Sequence, residues 1–210
     1  MSLDNKAGYG QARSSQAGRP SGLIGWAVGL YLRWRNADLN AAAIDALVPF
    51  PGDRVLEIGF GPGEALRRLA AVKGIGKIAG IDHSPTMLAM AEQCNRPAIT
   101  RGAMELRLAG IDAVPFAERS FDAVLAVDCV QYWPDLISHL AVVRRLLRPG
   151  GRALFGLRGA ERQGPESTPK CLSPAALSQA LAAAGFVQVT IERVETRPTP
   201  STLILARRPI

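Results

Sequence analysis

Apolar residues recur at helical spacing over residues 23–34 and again over 39–48, where Pro49 and Pro51 end the second run. The period then changes. Residues 54–58 (Arg-Val-Leu-Glu-Ile) form a short β-type run ending in Gly59-Phe60-Gly61-Pro62-Gly63, after which 64–72 reads as a helix. Residues 77–81 are a second strand, and Ser84 and Pro85 supply the N-cap and first-turn proline of a helix running to about residue 95. A weaker strand follows at 105–108. The near-continuous apolar run 121–127 fits a strand of a parallel sheet covered by helices on both faces. Residues 136–147 are helical, and Pro149-Gly150-Gly151 stops them before a strand at 152–157. Beyond a polar loop, 158–172, Ser173 and Pro174 open a helix that Gly185 ends. The last strands, 187–193 and 202–207, have no helix between them and predict an antiparallel hairpin. Residues 1–21 are polar and rich in Gly, Ser and Arg, and read as an arm that orders around a ligand.

Alternating strands and helices with right-handed crossovers give an α/β fold, a doubly wound, mostly parallel Rossmann-like sheet whose ligand site lies at the carboxyl ends of the first strands. The expected organisation is an N-terminal arm with lid helices over 1–48 and a sheet domain over 49–210.

Composition narrows the class. With 48% hydrophobic and 20% charged residues in 210, a disordered chain or a collagen-like fibre is excluded, and one domain with extensions is expected. No apolar run approaches the about 18 residues of a membrane span, and the N-terminus lacks a signal-peptide core, so the expected compartment is the cytoplasm. Cys94, Cys129 and Cys171 are odd in number and widely spaced, which predicts reduced thiols and neither a disulfide frame nor a zinc site. Cys129 reads as a small buried hydrophobe. His83 and His139 stand alone, and no metal is expected. The net charge of +7 divides as +3 over 1–40, −3 over 41–140 and +7 over 141–210. The segment carrying the motifs is thus acidic, and nucleic acid is not the expected partner.

Three alternating glycines after a buried strand let the backbone turn sharply and let a ligand approach the main chain. A dinucleotide fingerprint beginning at Gly59 would need its third small residue at Glu64, which misses, and a pyrophosphate would sit against Glu57 and Glu64. A cationic ligand tolerates those acids. Asp82 ends the second strand 19 residues after Gly63, where a carboxylate can accept both hydroxyls of a ribose. A nucleoside carrying positive charge fits this set, and a nicotinamide cofactor fits it poorly.

Residues 55–63 followed by Gly80-Ile81-Asp82-His83-Ser84 resemble the class I S-adenosylmethionine-dependent methyltransferases. Pro115-Phe116, Ser120-Phe121-Asp122 and Leu146-Leu147-Arg148-Pro149-Gly150-Gly151 extend the resemblance over about residues 45–208, and the pattern is most similar to the small-molecule enzymes related to ubiquinone and menaquinone methylation. The resemblance implies a seven-stranded sheet with a reversed last strand, S-adenosyl-L-methionine as cofactor, S-adenosyl-L-homocysteine as product and a small-molecule acceptor. It also implies cofactor contacts from Glu57, Gly59, Phe60, Gly61, Gly63, Asp82, His83, Ser84, Met87, Ile111, Asp112 and Asp128. One position departs from the family: the acid that commonly faces the adenine is here Gly110, so Asp112 or the backbone around Ile111 takes that role. Asp128, one residue beyond the fourth strand, is the candidate general base, with a strand or turn cap as its bland alternative. Tyr132 and Trp133 lie where acceptors dock in the family, and aromatic packing explains them equally well. Tyr9 and Trp26 are expected to face the site from a closing N-terminal lid, although Trp26, Tyr31 and Trp34 are most simply contacts within the core. An RNA or protein methyltransferase and a non-catalytic cofactor-binding protein remain alternatives.

Overall fold

Seven strands lie in the order β3-β2-β1-β4-β5-β7-β6 in the computed structural model, which describes residues 22–159 and 172–210. The helices α1 (Gly22–Arg35) and α2 (Ala37–Leu47) precede β1 (Arg54–Ile58), α3 (Glu64–Leu69), β2 (Lys77–Asp82), α4 (Pro85–Thr100) and β3 (Met104–Leu108). Then come β4 (Phe121–Val127), α5 (Leu136–Leu146), β5 (Leu147–Arg158), α6 (Pro174–Ala183), β6 (Val187–Val194) and β7 (Ser201–Arg207). The first five strands pair in parallel, whereas β7 runs antiparallel to both β5 and β6, as the final hairpin predicts.

Side chains alternate across the pleat, and each face of the sheet gathers its own core. Leu56 and Ile58 pack with Val124, Leu140, Val143, Leu177 and Leu181 beneath α5 and α6. Val55 packs on the other face with Leu125, Leu154, Leu39, Ala43, Leu66 and Leu69, beneath α2 and α3. The expected N-terminal lid therefore divides into two unlike parts. Helix α2 is a covering helix of the sheet, with Leu39, Ala43 and Leu47 fully buried. Helix α1 instead lies against α4, where Gly29 meets Met87 and Met90. Tyr9 falls outside the described residues.

Three boundaries differ from the sequence pattern. Helix α4 continues to Thr100 through Pro97, because Asn95 and Ala98 are buried and packing of the last turn outweighs one lost backbone bond. Helix α3 stops at Leu69, where the chain tightens into turns from Ala71 N–H to Arg68 O and Val72 N–H to Leu69 O. Pro149-Gly150-Gly151 lies inside β5 as an irregularity, not before it: Phe121 pairs with Leu147 but Ala123 with Arg152. A proline without a donor and a glycine at φ 75° suit the bulged side of such a pair.

The basic C-terminal third uses many of its arginines within the fold. Arg152 pairs with Asp53 below the Phe50 ring, Arg148 bonds Asp122 at 2.8 Å, and Arg208 donates to the Arg144 and Leu147 carbonyls at 2.9 and 2.6 Å. No helix among the described residues is long and apolar enough to cross a membrane.

Candidate cofactor cleft

Strand order reverses between β1 and β4, whose crossovers leave in opposite directions, and a crevice opens at their carboxyl ends. It has a volume of about 630 Å³ and is walled by the glycine loop, the ends of β2 and β4, the turn after β3, and one face of α1.

The loop glycines divide by purpose. Gly59, Gly61 and Gly63 all have positive φ, at 70°, 52° and 83°. A Cβ at Gly59 would lie 2.8 Å from Cys129 Cβ, and one at Gly63 would lie 2.7 Å from Asn95 Nδ2, whereas Gly61 faces open space. Gly59 and Gly61 line the cleft with the largely buried Phe60. Gly63 does not: it is a glycine so that α4 can pack against the loop, with Asn95 Nδ2 donating to its carbonyl at 3.1 Å. The structure thus gives the expected cofactor residue Gly63 a packing role and places it outside the lining of the cleft.

Asp82 joins the loop to the end of β2. Its Oδ2 accepts from Gly61 N–H at 2.9 Å and its Oδ1 from Ser84 N–H at 2.8 Å. Burial raises this carboxyl above its ordinary range, while those backbone donors work against the rise. Ser84, also expected at the cofactor, is wholly buried, and its Oγ caps α4 by accepting from Met87 N–H. It stands behind the wall. His83 and Met87 do line the cleft.

Among the described residues that line the cleft, Glu57 is the one with a buried, unpartnered polar side-chain atom. It is 2% exposed, it lines the cleft, and its Oε2 is buried without a hydrogen-bond partner among the described residues. Burial, followed by the nearby Asp82 charge, pushes its carboxyl well above the usual range, against the pull of the Leu66 N–H. A buried carboxylate oxygen facing a cleft calls for a cation. Glu64, by contrast, is held by Arg67 at 2.7 Å and Arg68 at 3.2 Å, with Arg33 at 3.4 Å. The hydrogen bond from Arg67 leads the effects that hold its carboxyl below the usual range. The acidity that disfavours a pyrophosphate therefore comes from Glu57, and Glu64 contributes little to it.

At the turn after β3, Gly110, Ile111 and Asp112 all line the cleft. A side chain on Gly110 would collide with Asp112 Oδ1, so the Asp112 carboxylate already fills the space of the acid missing at 110. Asp128, past the end of β4, also faces the cleft, at φ 52°. Its Oδ2 accepts from Arg35 Nη1 at 3.0 Å and Asn36 Nδ2 at 3.3 Å, and its Oδ1 from Gln131 Nε2 at 3.0 Å. Cys129 Sγ donates to Ile58 O at 3.1 Å, and burial raises its thiol well above the ordinary value, which fits an inert packing residue.

Tyr132 and Trp133 also line the cleft, and Trp133 packs edge-on against His139 and Phe155. Trp26 does not reach the cleft. It borders an adjoining depression between α1 and α4, with Leu30, Met90 and Cys94, which shares Arg33 and Pro62 with the cleft. Besides Arg33, α1 presents Val28, Tyr31, Leu32 and Arg35 to the cleft, with Asn36 and Asn40 beyond them. Their i, i+3, i+4, i+7 spacing is visible in the sequence, but α1 is apolar almost all round, so no face stands out there.

A doubly wound sheet with a phosphate-poor glycine loop, a ribose-type acid and an unpaired buried carboxylate defines a site for a cationic nucleoside. A methyltransferase-domain family profile matches residues 56–155. The chain is 30% identical over 191 residues to the demethylmenaquinone methyltransferase of Thermus thermophilus, covering 75% of this chain and 83% of that one. It is 27% identical to the uncharacterized methyltransferase YdaC of Bacillus subtilis, over 86% of this chain and 97% of that protein. Other curated relatives are longer, and the match spans 29% to 51% of their length. Among solved structures, a SAM-dependent methyltransferase from Aquifex aeolicus superposes with a TM-score of 0.72 at 16% identity, over 87% of this chain and 97% of that one. The chain belongs to the class I S-adenosylmethionine-dependent methyltransferase superfamily. Its cofactor is S-adenosylmethionine. The residues present fit that group, since the orphaned Glu57 oxygen suits an ammonium and Asp82 suits a ribose.

Proposed function

We propose that this protein methylates a small, largely apolar acceptor at a polar atom held near Asp128. The observation that carries this reading is the character of the cleft beyond the glycine loop, where Tyr31, Leu32, Tyr132, Trp133 and Pro134 form the walls. A cleft of about 630 Å³ lies within the roughly 300–1,000 Å³ usual for small-molecule sites. Two arginines are among its described lining residues, and both pair with carboxylates, unlike the unpaired basic groove that tracks a nucleic-acid backbone. The relative named for demethylmenaquinone supports an acceptor with an aromatic ring.

When bound, the cofactor supplies a methyl group on a sulfonium, already a good leaving group. The protein's task is then alignment and water exclusion. In this reading Glu57 holds the ammonium, Asp82 the ribose and Asp112 the adenine edge, while His83, Met87 and Ile111 pack about the base. Asp128 orients the acceptor's polar atom and takes its proton. Its carboxylate has about four acceptor sites, and three N–H donors occupy three of them.

The test is transfer from tritiated S-adenosylmethionine to separated metabolite, RNA and protein fractions. Label is expected in the organic-soluble metabolites. Label confined to RNA or protein would overturn the reading.

A further inference from the structure

The amino acid part of the cofactor carries an ammonium and a carboxylate on one carbon, and only the first has a partner so far. We propose that Arg33, on α1, binds the cofactor carboxylate. This rests on the S-adenosylmethionine reading of the cleft and names a contact within it.

Three guanidiniums surround one carboxylate at the start of α3. Arg67 takes both oxygens of Glu64 through Nε at 3.1 Å and Nη2 at 2.7 Å, and Arg68 Nε approaches Oε1 at 3.2 Å. Arg33 Nε stands farther out, 3.4 Å from Oε2. One negative and three positive charges leave a surplus of two. Of the three cations, Arg33 is the one that lines the cleft, and its side chain is 44% exposed. The other arginine on the wall, Arg35, is less available, because it is hydrogen bonded to Asp128 at 3.0 Å.

Position agrees with charge. The Leu66 N–H acts on the Glu57 carboxyl, and Glu64, two residues earlier on the same helix, holds Arg33. The unpaired Glu57 oxygen and the surplus guanidinium thus flank the first turn of α3, as a zwitterionic amino acid requires of its two counter-charges. Because Arg33 belongs to α1, the contact also fastens that helix over the bound cofactor.

The experiment compares S-adenosylmethionine with its decarboxylated analogue, which keeps ammonium and sulfonium, by calorimetry on wild type, Arg33→Ala and Arg33→Lys. Wild type should prefer the carboxylated ligand. Arg33→Ala should bind S-adenosylmethionine about three- to tenfold more weakly and the analogue within about twofold of wild type, and Arg33→Lys should keep part of the preference. Thermal melts report that the variants are folded. Unchanged S-adenosylmethionine affinity, or equal losses for both ligands, would overturn the assignment. Failure of wild type to bind either ligand would overturn the cofactor reading beneath it.

Discussion

Arg35 Nη1 donates to Asp128 Oδ2 at 3.0 Å, a bond that spans 93 residues and ties the end of α1 to the loop after β4. Arg158 completes the joint, donating to Arg35 O at 2.8 Å and Asn36 Oδ1 at 3.1 Å. The part of the cleft lined by Arg35, Asn36 and Asp128, where the proposed acceptor docks, is built on this junction. Asp128→Asn is a clean test of its chemistry, because Asn tolerates positive φ. If Asp128 accepts a proton, turnover on the metabolite fraction labelled by wild type should fall by about a hundredfold, with calorimetric cofactor affinity within about twofold. Undiminished turnover would leave Asp128 as a clamp alone.

Asp82→Ala removes the acceptor of two backbone donors and, on the proposed reading, of two ribose hydroxyls. Charge-assisted hydrogen bonds are worth roughly 1.5–3 kcal/mol each, so calorimetry should show at least about a tenfold loss of S-adenosylhomocysteine affinity. Asp82→Asn should do little better, since both carboxylate oxygens face an N–H and one would be replaced by an amide donor.

Glu57 sets function against stability. Its folded pKa is raised above that of the unfolded chain, so its contribution favours the native state below the ordinary Glu range and is lost as pH rises through the raised value. Glu57→Gln should therefore melt about 2–6 °C higher than wild type at about pH 8, with the gap closing near pH 4. Cofactor affinity should move the other way: wild type binds more weakly as pH falls and Glu57 protonates, while the variant binds weakly throughout. A variant that melted lower at the higher pH would contradict the unpaired carboxylate.

Gly61 and Gly63 of the loop should separate in mutagenesis. Gly63→Ala combines a left-handed backbone with collisions against Asn95 and Ala91 and should cost about 2–4 kcal/mol in urea unfolding. Gly61→Ala meets no neighbour and should cost about 1–2 kcal/mol, yet lower cofactor affinity more than Gly63→Ala does in its folded fraction. The reverse order would place the cofactor on the wrong side of the loop.

Much of this molecule was legible as local pattern. The strand-loop-helix unit at 54–69 announces itself because a buried β-run, three alternating glycines and a helix are all set by near neighbours. The missing helix between residues 194 and 201 likewise requires a hairpin. Purpose within the loop was less legible. Gly63 and Ser84 carry the residue types of a cofactor site, yet one is fixed by the approach of Asn95 and the other by the cap of α4, contacts that span 32 and three residues.

The sequence by itself determined the fold class and the cofactor, because hydrophobic period, turn chemistry and motif spacing are short-range properties of the chain. Tertiary structure decided which face of α1 meets the cleft, turning Tyr31 inward and Trp26 outward, and it laid Asp112 over the space left by Gly110. It also decided which charges remain unanswered. Glu64 and Glu57 read alike on paper, and both end buried on the cleft wall, but the fold surrounds Glu64 with three guanidiniums and leaves Glu57 Oε2 without a partner among the described residues. Electrostatic environment depends on neighbours brought together by packing, and no local period encodes it.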